Sequence, residues 1–405
     1  MHKQFPIGLD EALRMTLESI DPLPVEDVPL LDGLNRALAA DVHAKVDSPS
    51  VDASLKDGYA VMSRQVEGAS RERPVNLKLV GFQAAGGNEK VAVLPGTTVR
   101  VLTGAKIPSG ADAVVAEEFV SAAGEMITFY IDAEPGRNIL PKSSDVASGR
   151  VVARRGTLLN PGLVGLLAAA GHDRLSVIRC PYVAIIATGD EVVAPGQPLP
   201  EGKLFASNIT TLGGWCRRFG MRTHLAVVKD QARLIGEALS RSAETADAVI
   251  TSGGAWTGDR DLVAQILENL GWRQVFHRIR IGPGKAVGFG LLQGKPVFIL
   301  PGGPPSNLMG FLQIALPGLL KLAGHLHCRL PSVNVRLATQ LSGRTPDWTQ
   351  LIYGTLEQSV DLPLFHALRG TSRLRSMSEA QAVVAIPEGK TELPSGAVVA
   401  AQVLV

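Results

Sequence analysis

Two related stretches constrain this chain most: DAVITSGGAWTGDRD at residues 247–261 and IIATGDEVVAPGQ at residues 185–197. In each, a short β-branched apolar run stops at a Thr/Ser-Gly turn and is followed within a few residues by acids. Apolar runs of this length bounded by glycine are the pattern of strands buried on both faces of a parallel sheet. In open α/β sheets, ligands sit beyond the carboxyl ends of such strands. Two strand ends carrying glycine and carboxylates therefore mark the first place to seek chemistry, although each alone also fits an Asp-capped strand-to-helix turn.

The pattern around them is repetitive. Strands are predicted at YVAIIATG, RTHLAVVKD, DAVITSGG, VFHRIRI, VGFGLL and PVFILPGG. Helices are predicted over residues 207–219, 232–244, 261–270 and 306–322. Alternation of this kind predicts a doubly wound α/β domain over residues 180–328. The rest of the chain differs. Residues 8–20 read as a helix with Asp10 as N-cap, and the Leu and Ala spacing of residues 34–40 suggests a second, short one. From 46 to 144, β-like pieces (VNLKLVGFQ, TTVRVLTG, ADAVVAEE, MITFYIDA) alternate with Gly/Pro turns, predicting a β-rich insert. Helical patterning returns at LNPGLVGLLAAA, with Asn160 as cap and Pro161 at the first helical position. Residues 1–45 and 145–179 are thus expected to form one discontinuous domain, and residues 329–405 a small β-barrel-like domain.

At 405 residues the chain is too long for one core. Hydrophobic content of 45% with 19% charged residues is that of a globular protein, and 43 glycines with 26 prolines suit many tight turns. A net charge of +2 with no basic run gives no nucleic-acid footprint. Cys180, Cys216 and Cys328 form no CxxC pair and read as buried free thiols, which suits a reducing compartment. The N-terminal residues show no signal-peptide core and no apolar run is long enough to span a bilayer, so the expectation is a cytoplasmic protein without membrane partners.

Several motifs offer groups for an anionic ligand. Asp57 stands before a glycine in SLKDGYA, a sequence that permits a tight turn. Thr103 and Gly104 in RVLTGAKIP present a hydroxyl beside open backbone. Thr188, Gly189, Asp190 and Glu191 end the first α/β strand with hard oxygens of the kind Mg²⁺ takes. Asp230 ends the next. Ser252, Gly253 and Gly254 have the form of an anion-cradling turn, followed by Asp259 and Asp261. Arg278 and Lys285 can pair with an oxyanion, and Pro301, Gly302 and Pro304 form a rigid turn before a helix.

The order and spacing of DGYA, TG, GRNI (136–139), TGDE, SGG with a following GD, PGK and LPGGP resemble the MoeA family of molybdopterin molybdenumtransferases, which includes the E-domain of gephyrin. The resemblance spans nearly the whole chain. It implies insertion of molybdate into adenylylated molybdopterin with metal-dependent release of AMP. It also implies an elongated homodimer whose site lies between the α/β domain of one copy and the β-insert of the other. A molybdopterin adenylyltransferase and recipient molybdoenzymes are the implied protein partners. Matched to the family's motifs, Asp57, Glu191, Asp230 and Asp261 are the expected catalytic residues, with Glu191, Asp230 and Asp261 as metal-holding candidates. Asp145, at the acidic end of the motif that begins with GRNI, and Ser376, in a loop near the pterin, join the expected substrate contacts. So do Thr103, Gly104, Thr188, Gly189, Ser252, Gly253, Gly254, Lys285, Pro301, Gly302 and Pro304.

The departures fall on basic and amide groups. Lys56 replaces a methionine, Leu140 and Pro141 replace basic residues, and Lys-Pro-Gly-Lys-Pro becomes Gly282-Pro-Gly-Lys-Ala286. Gly303 and Gln381 stand where the family carries asparagine. Two other readings therefore remain open: a paralogue that binds molybdopterin without inserting metal, and an adenylyltransferase acting at the pyrophosphate. The additional β-domains weigh against the second.

Overall fold

The computed structural model describes residues 7–87, 89–253, 262–368 and 373–404. Its centre is a six-stranded sheet whose strands we number in chain order: β1 Tyr182–Thr188, β2 Arg222–Val228, β3 Ala248–Ser252, β4 Arg273–His277, β5 Gly288–Leu292 and β6 Lys295–Leu300. Their spatial order is β2-β1-β3-β6-β5-β4. The first four in that order run parallel, while β5 and β4 pair antiparallel at one edge.

Alternate residues of β1 enter two different cores. Val183, Ile185 and Ala187 pack on one face with Leu212 and Cys216 of the helix Ser207–Arg218 and with Leu308 and Leu312. Ala184 and Ile186 face Ile235 and Leu239 of the helix Ala232–Thr245 and Val263 and Leu267 of the helix Leu262–Asn269. Burial on both faces is why these strands read as unbroken apolar runs rather than alternating ones. The long closing helix is continuous from Pro304–Gly310 through a π-helical turn at Phe311–Ala315 to Leu316–Leu322.

The β-rich region contains a second six-stranded sheet, ordered Ala113–Ala116, Gly58–Val61, Thr97–Val101, Val75–Gln83, Met126–Phe129 and Val120–Ala123. Two cores built only from its own residues flank it. Beyond the α/β domain, strands Ser332–Leu337, Thr349–Glu357, Leu364–Ala367, Ala382–Ile386 and Val398–Val403 close into a barrel, because Thr349–Glu357 also pairs with Ala382–Ile386. The whole is an α/β and β multidomain architecture. Strands from the two flanks of the insert pair with each other: Val25–Pro29 with Arg174–Ile178, and Val42–His43 with Val151–Ala153.

Three local expectations are corrected. Residues 34–40 form no helix. Asn35 has φ 62°, and Ala37 and Leu38 bridge Leu158 and Val177, so their apolar spacing is met by extended backbone rather than a helical face. The first helix, Leu9–Glu18, takes Gly8 as N-cap; Asp10 lies in its first turn, where a carboxylate complements the helix dipole, and pairs with Arg329 at 2.9 Å. Ser376 lies inside the short helix Arg373–Glu379, not in a loop. Asn160 caps its helix as expected, accepting from the Leu163 N–H at 2.8 Å. The cysteines are all free; Cys216 and Cys328 are buried, while Cys180 is partly exposed and donates to the Gly220 carbonyl. Among the described residues no helix is long and apolar enough to cross a membrane.

Candidate functional site at the strand ends

The carboxyl ends of β1 and β3 and the turn after β6 meet around a cleft of about 110 Å³. Thr188, Glu191, Asn208, Ser252, Gly253, Gly302 and Pro304 line it. Parallel pairing in register, Ala187 opposite Ser252 and Ser252 opposite Leu300, brings these sequence-distant groups together.

Two glycines make the approach possible. Gly253 has φ 99°, and a Cβ there would stand 2.4 Å from the Thr188 carbonyl oxygen. Gly189 has φ 146°, and a Cβ would stand 2.4 Å from Oε2 of Glu191. Any side chain at 253 would push β1 and β3 apart at the rim, and one at 189 would displace the Glu191 carboxylate.

Side-chain amides fix the cleft's floor. Asn307 Nδ2 donates to the Pro301 carbonyl (2.9 Å) and to Ser252 Oγ (3.0 Å). Asn208 Nδ2 donates to the Gly302 carbonyl (2.8 Å) and to Ser252 Oγ (3.2 Å). Sequence reasoning missed both asparagines. Asn307 had a signal: it is a buried polar residue within a helix that is otherwise largely apolar, one turn after Gly303 where the resembling family carries an amide. Thr188 is 2% exposed, yet its hydroxyl has no partner among the described residues. Lys203, also missed, donates from Nζ to the Asp190 carbonyl.

Acidic groups crowd the rim. The Asp230 N–H donates to Asp190 Oδ1 at 3.3 Å, and Gly189 N–H donates to the Val228 carbonyl at 3.3 Å, tying the loops after β1 and β2 together. Burial, then the negative charges of Glu191 and Asp190, push the Asp230 carboxyl above its ordinary pKa. Among the described residues no three His, Cys, Asp or Glu side chains form a ready metal cluster. Asp261 and Gly254 lie outside the described residues, as does Asp259.

Asp57 occupies a separate place. It precedes the strand Gly58–Val61 in the insert sheet, and its Oδ1 accepts from the backbone N–H (2.6 Å) and the hydroxyl (2.8 Å) of Thr103. Those two bonds, with Arg100 adding a smaller attraction, hold the exposed carboxyl below its ordinary pKa. Gly58 is not there for a left-handed turn; a Cβ would come within 2.2 Å of the Val115 carbonyl oxygen, so glycine is needed for close strand approach. Gly104 does supply a turn, at φ 81°. Among the described residues, no hydrogen bond or ion pair joins the insert sheet to the α/β domain.

The remaining predicted groups are scattered. Asp145 is exposed, with its N–H donating to the Ser48 carbonyl. Lys285 and Arg278 are exposed, and no hydrogen bond or ion pair engages the Lys285 side chain among the described residues. Ser376 is partly buried on a helix that packs against Pro304–Gly310, the helix that follows the Pro301–Gly302 turn. A further cavity of about 420 Å³ opens beside Gly282 and Pro283 and is lined by Ser342, Arg344, Thr345, Trp348 and Gln350. A Cβ at Gly282 would meet no atom within 4 Å.

A doubly wound α/β domain with a glycine-hydroxyl cleft at its strand ends, attached to a β-insert and a small barrel, defines a class of multidomain ligand-binding proteins. Comparison places the chain within that class. Residues 7–171 match the MoeA N-terminal region (domain I and II), and residues 184–321 match a probable molybdopterin binding domain. The chain is 33% identical over 379 residues to the molybdopterin molybdenumtransferase of Nostoc sp., covering 92% of this chain and 87% of that protein. It is 30% identical over 395 residues to molybdopterin molybdenumtransferase 2 of Mycobacterium tuberculosis, covering 96% and 97%. The crystal structure of the molybdopterin biosynthesis MoeA protein from Pyrococcus horikosii superimposes with a TM-score of 0.81 at 32% identity, covering 98% of this chain and 99% of that one. The chain belongs to the MoeA family, whose members serve molybdenum cofactor biosynthesis.

Proposed function

We propose that this protein is a molybdopterin molybdenumtransferase that takes adenylylated molybdopterin and molybdate, cleaves the pyrophosphate linkage, and releases AMP and molybdenum-bearing pterin. The observation that carries this reading is the cleft at the ends of β1, β3 and β6. There, hydroxyl and glycine-turn groups suited to phosphoryl oxygens lie next to carboxylates whose mutual repulsion calls for a cation.

Glu191 and Asp230 would hold Mg²⁺, together with phosphate oxygens of the substrate and Asp261. Hard carboxylate oxygens from the chain, completed by oxygens of substrate and water, are the set this ion prefers. When bound, such an ion would supply positive charge to the pyrophosphate. The chain's own groups do the rest. Ser252, Thr188 and the turns at Gly253 and Gly302 orient the phosphates. Asp57, kept ionised by Thr103, accepts a proton or positions the incoming group. Because Asp57 stands on a sheet with its own cores and, among the described residues, no polar tie to the α/β domain, we propose that it acts on the cleft of a second copy in a homodimer. The cation lost at Gly282 leaves open space beside Arg344, which supports weaker molybdate retention than a second lysine would give.

The test is single-turnover incubation with adenylylated molybdopterin, Mg²⁺ and graded molybdate, following AMP and pterin-bound molybdenum. Molybdate-dependent AMP release with metal on the pterin is expected. Tight pterin binding without AMP at any molybdate level would instead support a binding paralogue.

A further inference from the structure

The geometry points to a role for Asn208 and Asn307 that rests on the reading above: we propose that they convert Ser252 into an obligate hydrogen-bond donor that reads a phosphoryl oxygen of the ligand. A serine hydroxyl has one proton and two acceptor lone pairs, and its rotor normally lets it donate or accept as needed. Here that freedom is removed.

The orientation of both amides is fixed by chemistry rather than by choice. The Pro301 and Gly302 carbonyls can only accept, so each must face an amide nitrogen; Asn307 meets the first at 2.9 Å and Asn208 the second at 2.8 Å. The same two nitrogens face Ser252 Oγ at 3.0 and 3.2 Å. Ser252 Oγ therefore receives two protons, which occupies its lone pairs. Its own proton must go elsewhere, and no acceptor for it exists among the described residues. Ser252 is 4% exposed and lines the cleft, so the proton is directed to whatever fills the cleft.

A second, independent group points the same way. The Thr188 hydroxyl, on the neighbouring strand, is buried against the same cleft and has no partner among the described residues. A Cβ placed on Gly253 would lie 3.5 Å from it, which locates it beside the turn after Ser252. Two hydroxyls at adjacent strand ends, one locked as a donor and one unsatisfied, fit an atom that only accepts. A non-bridging phosphoryl oxygen is such an atom; an ammonium group offers only donors and would leave the Ser252 proton opposed.

The experiment is equilibrium binding of adenylylated molybdopterin, with Mg²⁺ and without molybdate, to the full chain and to Ser252→Ala, Asn208→Asp, Asn307→Asp and the double variant Ser252→Ala/Asn208→Asp. Each carboxylate substitution turns a donor into an acceptor, so that Ser252 donates to it and withdraws its proton from the ligand. Ser252→Ala and Asn208→Asp should each weaken binding roughly 10–100-fold, the range for losing one hydrogen bond to a charged group. The double variant should bind no more weakly than either single one, because both remove the same proton. Additive losses would mean that the carboxylate introduced by Asn208→Asp acts through its charge and would overturn the proposal, as would Ser252→Ala binding like wild type. Asn208 is only half-buried and tolerates the carboxylate if buried Asn307→Asp fails to fold. Wild type failing to bind the probe would instead sink the functional reading, and this inference with it.

Discussion

Asp57 and Asp230 are the same residue type at two predicted catalytic positions, and the structure treats them in opposite ways. Asp57 is exposed, satisfied by two donors from Thr103, and held below its ordinary pKa. Asp230 is also exposed, but local desolvation and the charges of Glu191 and Asp190 beside it push it above that value. The first carboxylate is satisfied within its own sheet; the second carries unrelieved repulsion from its neighbours. The difference teaches that preorganisation and electrostatic frustration are divided between two regions, the insert sheet and the strand ends.

The largest effect should come from relieving the frustration. Asp230→Asn should reduce molybdate-dependent AMP release on the order of 10²–10³-fold, the scale of losing one charge-organising group in an active site. It should also raise the melting temperature without ligand. Because the folded-state pKa of Asp230 lies above its ordinary value, the ionised group costs stability above that pKa, and the cost vanishes as pH falls through it. A variant that melted earlier would break the comparison.

Next is the glycine that lets the strands meet. Gly253→Ala should destabilise by about 1–3 kcal/mol, from a strained φ and contact with the Thr188 carbonyl, measured by denaturant melts. Smaller in reach is Gly282→Lys. The site has open space, so folding should be unchanged while the molybdate KM falls roughly 10-fold, as one charge-assisted contact allows.

The smallest effect concerns Asp57. Thr103→Val removes the hydroxyl donor but keeps the N–H bond, so Asp57 should move back toward its ordinary pKa. A lowered carboxylate contributes stability above its unfolded pKa and loses it as pH falls through the folded one. The variant should therefore lose its acid tolerance at higher pH than wild type, and the acid limb of its pH–rate profile should shift upward.

The sequence made the architecture readable because β-branched runs between glycines leave few alternatives. It misled at residues 34–40, where Ala37 and Leu38 are as buried as a helix would make them but through bridges to residues more than a hundred positions away. It placed Thr188, Glu191, Ser252, Gly253, Gly302 and Pro304 among candidate contacts, and the parallel register gathers them around one cleft. The amides of Asn208 and Asn307 were invisible because their role depends on which carbonyls a distant turn presents. Asp145 and Lys285 show the converse: a motif position does not by itself say which cleft a side chain serves.

The central claim is that the Asp57 region and the strand-end cleft form one site across two copies of the chain. Mixing separately inactive Asp57→Ala and Glu191→Gln proteins, under conditions that exchange subunits, tests it most directly. If each site takes Asp57 from one copy and Glu191 from the other, mixed dimers hold one intact site, and AMP release should recover to about a quarter of wild type at equal mixing. Mixed dimers that form and stay inactive would contradict the claim.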